Sequence, residues 1–471
     1  MKKLDITTIF IAPKGYFDEL PKRITRRLKT RSYGNEGRKI IKETTWKWLV
    51  QKLLVISIAL FNINCHDSNS FQNDSTNVYG LGWSAVHADA RNSDYSNETG
   101  PGKVSLAWQK KFDGTINLGP TSDAKGHVYI TTSADGCHLY SLDANTGEII
   151  WCTDEVNQYA VASSALLDNE GRIFIADDSA MNAFSDTGTL LWKTPIIGFP
   201  LSAQFTQTGR LIFITHIGRI YVLDRETGET VMQPVSLIPN DSTLSDFDPI
   251  ACMRGSEKCP CANTLAFDLH SGRFFFTFWA PGTAQASLTA MVYAEDPVPS
   301  VTALWTNQSL SGGSASSPDL SIDGSKVYVN DNDVSIHALD AGSGENIWSF
   351  NIGYEPGGSQ STSPKGLIIP AGGKNAGLLA IRDKGTSAEL LWRNDSLQNR
   401  GIVTQTANNL AYATVKVGQL KYDLVIIDVR SGQELDREHL PGLPFFSVGI
   451  TIGYDGTIYV PTFNGYLYAY R

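Results

Sequence analysis

The sequence predicts an all-β protein: an eight-bladed β-propeller of four-stranded antiparallel blades, closed by pairing of its N-terminal and C-terminal strands. Three observations carry this. Gly126 to Trp151 holds three short apolar-alternating runs, Val128–Thr132, His138–Asp143 and Glu148–Trp151, separated by Ala-Asp-Gly and Ala-Asn-Thr-Gly. That is the punctuation of consecutive antiparallel strands. The unit recurs: four places beyond its second turn glycine stand Trp151, Trp192, Met232, Trp348 and Asp436, while Trp305 and Trp392 end two copies with altered turns. Successive marks lie 41, 40, 73, 43, 44 and 44 residues apart, and about 40 to 45 residues is the period of propeller blades.

A lone meander leaves two edges and an apolar face in water, so it must stack on copies of itself. The final copy, Gly456 to Arg471, stops where its outer strand should begin. Leu106 to Phe112, LAWQKKF, looks like the outer-strand run LLWKTPI at Leu190 to Ile196, and its Trp108 lies 43 residues before Trp151. It is expected to supply the missing strand. The repeat overrides the two or three domains that 471 residues would otherwise suggest, leaving one propeller domain, 83–471.

Residues 1–64 read as a basic N-terminal extension plus a signal peptide or signal anchor, and 65–82 as a flexible polar tether. Trp83 to Pro101 is expected to pack across one face of the ring before the closing strand. Met1 to Lys52 carries 14 Lys and Arg against 5 Asp and Glu, leaving 25 against 43 in the rest of a chain of net charge −9. A ring of that sign repels phosphate backbones, which argues against nucleic acid as a partner. The 11 mostly apolar residues Leu53 to Ile63 fall short of the roughly 20 that span a bilayer but suit a signal-peptide core. Export to the bacterial periplasm or cell envelope is expected, with membrane contact only through this segment, either cleaved or anchoring at 48–64. Cys65 follows where a lipoprotein carries its acylated cysteine, although Asn62-Ile63-Asn64 departs from the Leu and small residues of a lipobox.

The 6 cysteines suit an exported chain. If the turn at Asn145 pairs Leu142 with Glu148, Cys137 and Cys152 fall nearly opposite each other, within disulfide range. Cys252, Cys259 and Cys261 lie in an insertion at about 233–300, where one step is 73 residues long. C-x6-C-P-C lacks a fourth zinc ligand other than His270, so a loop disulfide with one thiol left over is expected. A long loop on a regular scaffold is the first place to look for recognition, the alternative being a tolerated surface insertion.

Trp108, Trp151, Trp192, Trp305, Trp348 and Trp392 occupy one fixed outer-strand position and are expected at blade junctions, with Met232 and Asp436 marking weaker ones. Small residues open each copy, among them Ser163-Ser164-Ala165, Ser202-Ala203, Ser314 to Pro318 and Ser361-Thr362-Ser363; converging inner strands require them. Asp177-Asp178, Asp323-Gly324 and Asp331-Asn332-Asp333 lack full calcium-loop spacing and read as hairpin turns.

The pattern G-x-L-Y-x-L-D-x-x-T-G-x-x-x-W, the preceding G-x-V/I-Y-V/I and the lead-in from Trp83 through Asp89 to Ser96 resemble the repeat of pyrroloquinoline-quinone (PQQ) dehydrogenases and of BamB-like envelope propellers. The resemblance covers Trp83 to Arg471. It implies either a PQQ-dependent dehydrogenase, with PQQ held by calcium and an aspartate base, or a non-catalytic scaffold for an envelope protein partner. The chain has no Cys-Cys dipeptide and no Asp that matches the dehydrogenase motif, and G-x-S-x-G, H-E-x-x-H, P-loop and C-x-x-C-H signatures are missing from it. The expected function is therefore the monomeric, protein-binding scaffold. The alternatives are the PQQ enzyme and a glycan-binding funnel, which the small inner residues disfavour.

Overall fold

Eight sheets succeed one another around the ring, and in the first seven the chain runs from an inner strand at the axis to an outer one at the rim. The structure is a computed structural model that describes residues 78–238, 260–314 and 316–471. Cys65, Cys252, Cys259 and the expected export segment lie outside the described residues. Among the described residues no helix is long and apolar enough to cross a membrane.

Blade 1 consists of Thr121–Asp123, His127–Thr131, Leu139–Asp143 and Ile149–Thr153. Blades 2 to 7 repeat this order, with inner strands Leu166–Leu167, Gln204–Phe205, Ala266–Phe267, Asp319–Leu320, Ser361–Thr362 and Thr404–Thr406. Blade 8 takes three strands from the C-terminus and its outer strand, Leu106–Lys111, from the N-terminal side. Leu106 pairs with Tyr470 and Lys111 with Tyr466, so the two ends of the ring close antiparallel. Closure removes the open edges that a linear stack of meanders would keep.

The middle strands of each blade are buried on both sides, as in Phe174, Ile175, Ala183 and Phe184 of blade 2, because the neighbouring blades cover both faces. Outer strands alternate instead, Leu190–Pro195 showing every second residue to solvent. A bulge interrupts the pairing of the third and fourth strands in most blades, next to the junction residue: Trp151 faces Ser141, Trp192 faces Ala183 and Trp348 faces Ala338. A small side chain opposite each indole leaves room for it.

Three expectations change. The compact unit begins at Val78, and Val78 and Tyr79 are buried, so the last residues of the expected tether belong to the ring because their apolar groups pack on blade 3. The described parts of 233–300 belong to blades: Val235–Ser236 ends blade 3, and Cys261–Ala262, Ala266–Phe267, Arg273–Trp279 and Ser287–Ala294 are strands of blade 4, while 239–259 lie outside the described residues. The bulge at Ser141/Leu142 shifts the hairpin register, so Leu142 pairs with Ile149 and Cys152 lies opposite Tyr140. Cys137 and Cys152 are nevertheless disulfide-bonded, with Cα atoms 5.7 Å apart.

Candidate functional site

The axial edge of each inner strand carries backbone groups that no neighbouring blade strand can bond, since the strands diverge from the axis. One segment meets them. Residues 78–101 cross the ring at the ends of the inner strands, forming a strap. Gly82–Trp83 pairs with Asp123 and Ser122 of blade 1. Leu167 N–H of blade 2 donates to Ser84 O at 2.8 Å, and Phe205 N–H of blade 3 to the Tyr79 hydroxyl at 3.0 Å. Phe267, Leu320, Thr362 and Gln405 of blades 4 to 7 donate their N–H groups to Ala90, Arg91, Ser93 and Asp94 carbonyls at 2.6, 3.0, 2.8 and 3.1 Å. Tyr95–Ser96 then runs parallel to Gln405–Thr406.

Several of the strap's polar side chains are buried. Asn92, fully buried, donates from Nδ2 to Pro318 O at 3.0 Å and Thr264 O at 3.4 Å, and accepts from Gln204 Nε2 at 3.1 Å. Its φ of 59°, with 74° at Ala88 and 46° at Asp94, lets successive carbonyls point to different blades; Asn and Asp tolerate that region better than other side chains. His87 Nδ1 lies 2.8 Å from Asp94 Oδ2, both residues buried. Burial raises the Asp94 carboxyl above the ordinary range, against the pull of His87. Beneath it, Asp319 is fully buried against the Gln360 amide, and burial raises its carboxyl well above the usual carboxylate range.

At the other end of the inner strands lie the loops joining one blade to the next and the turns between second and third strands. The small residues expected here to relieve crowding also bridge blades. Ser164 Oγ donates to Gly119 O at 2.8 Å, Ser164 N–H to Ser202 Oγ at 3.0 Å, Ser317 N–H to Ser359 Oγ at 3.1 Å, and Thr451 Oγ1 to Pro120 O at 2.7 Å. This loop face also exposes apolar groups. Leu443 is 64% exposed and Phe445 38%, on a loop held by Asn464, which donates to Leu443 O at 2.9 Å and accepts from Phe445 N–H at 3.0 Å. Val417 is exposed on the adjoining turn of blade 7 and Ile197 on the loop from blade 2 to blade 3. The described flanks of the insertion, Leu237 and Cys261, reach the same face: Leu237 N–H bonds Gly218 O, and Cys261 pairs with Trp279.

The acidic turns hold themselves together. Asp177 Oδ1 accepts from Ser179 and Ala180 N–H groups, Asp323 Oδ1 from Ser325, and Asp331 Oδ1 from Asp333 and Ser335 while its Oδ2 meets His337 Nε2 at 2.8 Å. Calcium takes six to eight oxygen ligands. Among the described residues no three His, Cys, Asp or Glu side chains are grouped to hold a metal ion, and the axial carboxylates Asp94 and Asp319 face His87 and Gln360. The described residues therefore bring no set of three carboxylates together for a calcium ion.

Each junction tryptophan sits between two blades. Trp108, Trp151, Trp192, Trp305 and Trp392 donate from Nε1 to backbone carbonyls of the next blade, at Ala144, Asp186, Arg225, Ala341 and Val429, and Trp348 to the Asp383 carboxylate. Where Asp436 stands instead, its carboxylate accepts from Val104 N–H at 2.8 Å and fastens the chain leading into the closing strand. The strap crosses one face of the ring, as expected of Trp83 to Pro101; which inner strands it bonds was not legible in the sequence, the one signal being the crowding of Asp, Asn and Ser in His87 to Asp94, residues that favour turns.

A sequence model of the family described as outer membrane protein assembly factor BamB matches residues 95–248 and 290–469. Protein Rv3035 of Mycobacterium tuberculosis (strain ATCC 25618 / H37Rv) is 31% identical over 400 residues, 83% of this chain and 95% of that protein. A quinoprotein ethanol dehydrogenase of Pseudomonas aeruginosa is 26% identical over 165 residues, 28% of this chain and 26% of the enzyme. Among solved structures, BamB from Moraxella catarrhalis superposes with a TM-score of 0.52 at 16% identity, covering 78% of this chain and 99% of that one. The quinohemoprotein alcohol dehydrogenase of Comamonas testosteroni gives 0.59 at 15% identity, covering 83% and 80%. At such identities the structural likenesses speak for the fold alone.

Proposed function

Because this chain belongs to the family described as outer membrane protein assembly factor BamB, we propose that it is an exported, non-catalytic propeller whose loop face docks a protein partner in the cell envelope. The observation that carries this reading is the loop face, left open where the strap covers the other end of the axis: it exposes Leu443 and Phe445 on a loop anchored by Asn464, with Val417 on the adjoining turn of blade 7. Exposed apolar side chains on a rigid frame are the usual anchors of protein recognition. The test is cross-linking and capture from solubilised envelope with wild type and with Leu443→Asp/Phe445→Asp. Wild type should retain a specific partner that the variant loses at unchanged melting temperature. Absence of any specific partner, or equal capture by both, would sink the reading.

A second reading, a quinone-dependent dehydrogenase, draws on the local match to the quinoprotein ethanol dehydrogenase. It is tested by adding PQQ with calcium and following melting temperature and dye reduction with alcohols or aldoses. A clear response would replace the scaffold reading.

A further inference from the structure

We infer that residues 78–101 act as an axial tie, one cooperatively docked segment that couples inner strands on opposite sides of the ring and keeps one end of the axis shut. Its bonding partners are far apart in sequence. Within about a dozen residues it meets blades 2, 4, 5, 6 and 7 through the N–H groups of Leu167, Phe267, Leu320, Thr362 and Gln405, all on inner strands. No blade-to-blade contact joins those strands in this way, since each blade otherwise touches only its two neighbours.

Two features make the segment dock as a unit. Its backbone holds Ala88, Asn92 and Asp94 at positive φ, a conformation that costs free energy at each position and persists only where the surroundings enforce it. Its buried polar groups also interlock: the Asn92 amide joins blades 3, 4 and 5, and Asp94 bonds His87 through its carboxylate while its carbonyl accepts from Gln405 N–H and from Ser361 Oγ at 2.9 Å. Undocking any part leaves another buried group without a partner, which is the origin of cooperativity in polar networks.

Native-state hydrogen exchange on the full chain, at increasing low concentrations of denaturant, reads this directly. The amides of Phe267, Leu320, Thr362 and Gln405 should open with one shared rate and denaturant dependence, and Asn92→Ala should accelerate all four by roughly tenfold or more. The decisive sites are Thr362 and Gln405, which do not touch Asn92. Acceleration confined to Phe267 and Leu320, or four unrelated opening rates in the wild type, would overturn the tie. Should Asn92→Ala fail to fold, Tyr79→Phe, which loses the hydroxyl bonded to Gln204 and Phe205, is expected to produce the same remote acceleration, and its absence there counts equally against the proposal.

Discussion

The indole of Trp151 covers Gly188 of the next blade: a Cβ on that glycine would stand 2.7 Å from Cδ2 of the ring, and the indole N–H donates to Asp186 O at 2.9 Å. The same pairing joins Trp108 to Gly147, Trp192 to Gly228, Trp305 to Gly344 and Trp392 to Gly432. The turn glycine of one repeat and the tryptophan of the previous repeat are thus a single contact, made at five of the eight junctions. The glycine is required both by its positive φ and by the ring lying on it.

Gly188→Ala should therefore cost more than its backbone conformation alone. Gly136 has φ +91° and nothing within 4 Å of an added Cβ, whereas Gly188 has φ +81° with the indole in the way. Gly136→Ala is expected to lose about 1 kcal/mol from the left-handed backbone, and Gly188→Ala a further ~1–3 kcal/mol from displacing the ring. Urea unfolding midpoints decide it, and equal losses would mean that the indole swings aside freely.

Closure depends on Trp108. It is 8% exposed, packs beside Tyr459 and donates to Ala144 O at 2.9 Å, linking the closing blade to blade 1. Trp108→Ala should lower stability by about 3–5 kcal/mol. Asp436→Ala, which removes the acceptor of Val104 N–H, should lose about 1–2 kcal/mol. Chemical denaturation ranks the two, and the reverse order would contradict this account of the closing strand.

The Cys137–Cys152 disulfide closes a loop of sequence separation 15, for which the chain-entropy account gives about 3 kcal/mol. The double variant Cys137→Ser/Cys152→Ser should melt lower than wild type by several degrees in differential scanning fluorimetry. Reductant should lower the wild type further toward it while shifting the variant less.

Two carboxyls tie stability to pH in a known direction. Asp319 is held well above the carboxylate range by burial, partly offset by bonds from Thr362 and Gln360, and Glu355 is pushed up to about 7 by burial reinforced by Asp333. Unfolded Asp and Glu ionise near about 4, so the unfolded chain releases these protons first. The stability each group contributes is complete below about pH 4 and is lost as pH rises toward its folded value. For Glu355 the loss is complete near pH 7. Glu355→Gln should flatten the unfolding free energy between about pH 4 and 7, and Asp319→Asn should flatten a range that begins at the same acid end and extends to the folded pKa of Asp319. A wild-type-minus-variant difference that stays constant with pH would contradict the assignment.

The number of blades, their order and the seam between Leu106–Lys111 and Tyr466–Tyr470 were all legible in the sequence. Each blade is a local meander with its own turn signals, and repetition makes the signal redundant. Tryptophans at a fixed place in the repeat could likewise be assigned to junctions, because position within the unit maps to distance from the axis. Three-dimensional assembly alone decided which inner strands the strap bonds, the bridging bonds of Ser164 and Ser202, and the shift in register that sets Cys152 opposite Tyr140. Asn92 and Pro318, separated by 226 positions, meet only once the ring has closed. A periodic pattern encodes contacts between equivalent residues of adjacent copies, but a non-repeating segment that bonds many copies at once leaves no period to read, so its place is fixed by the convergence of the strands around it.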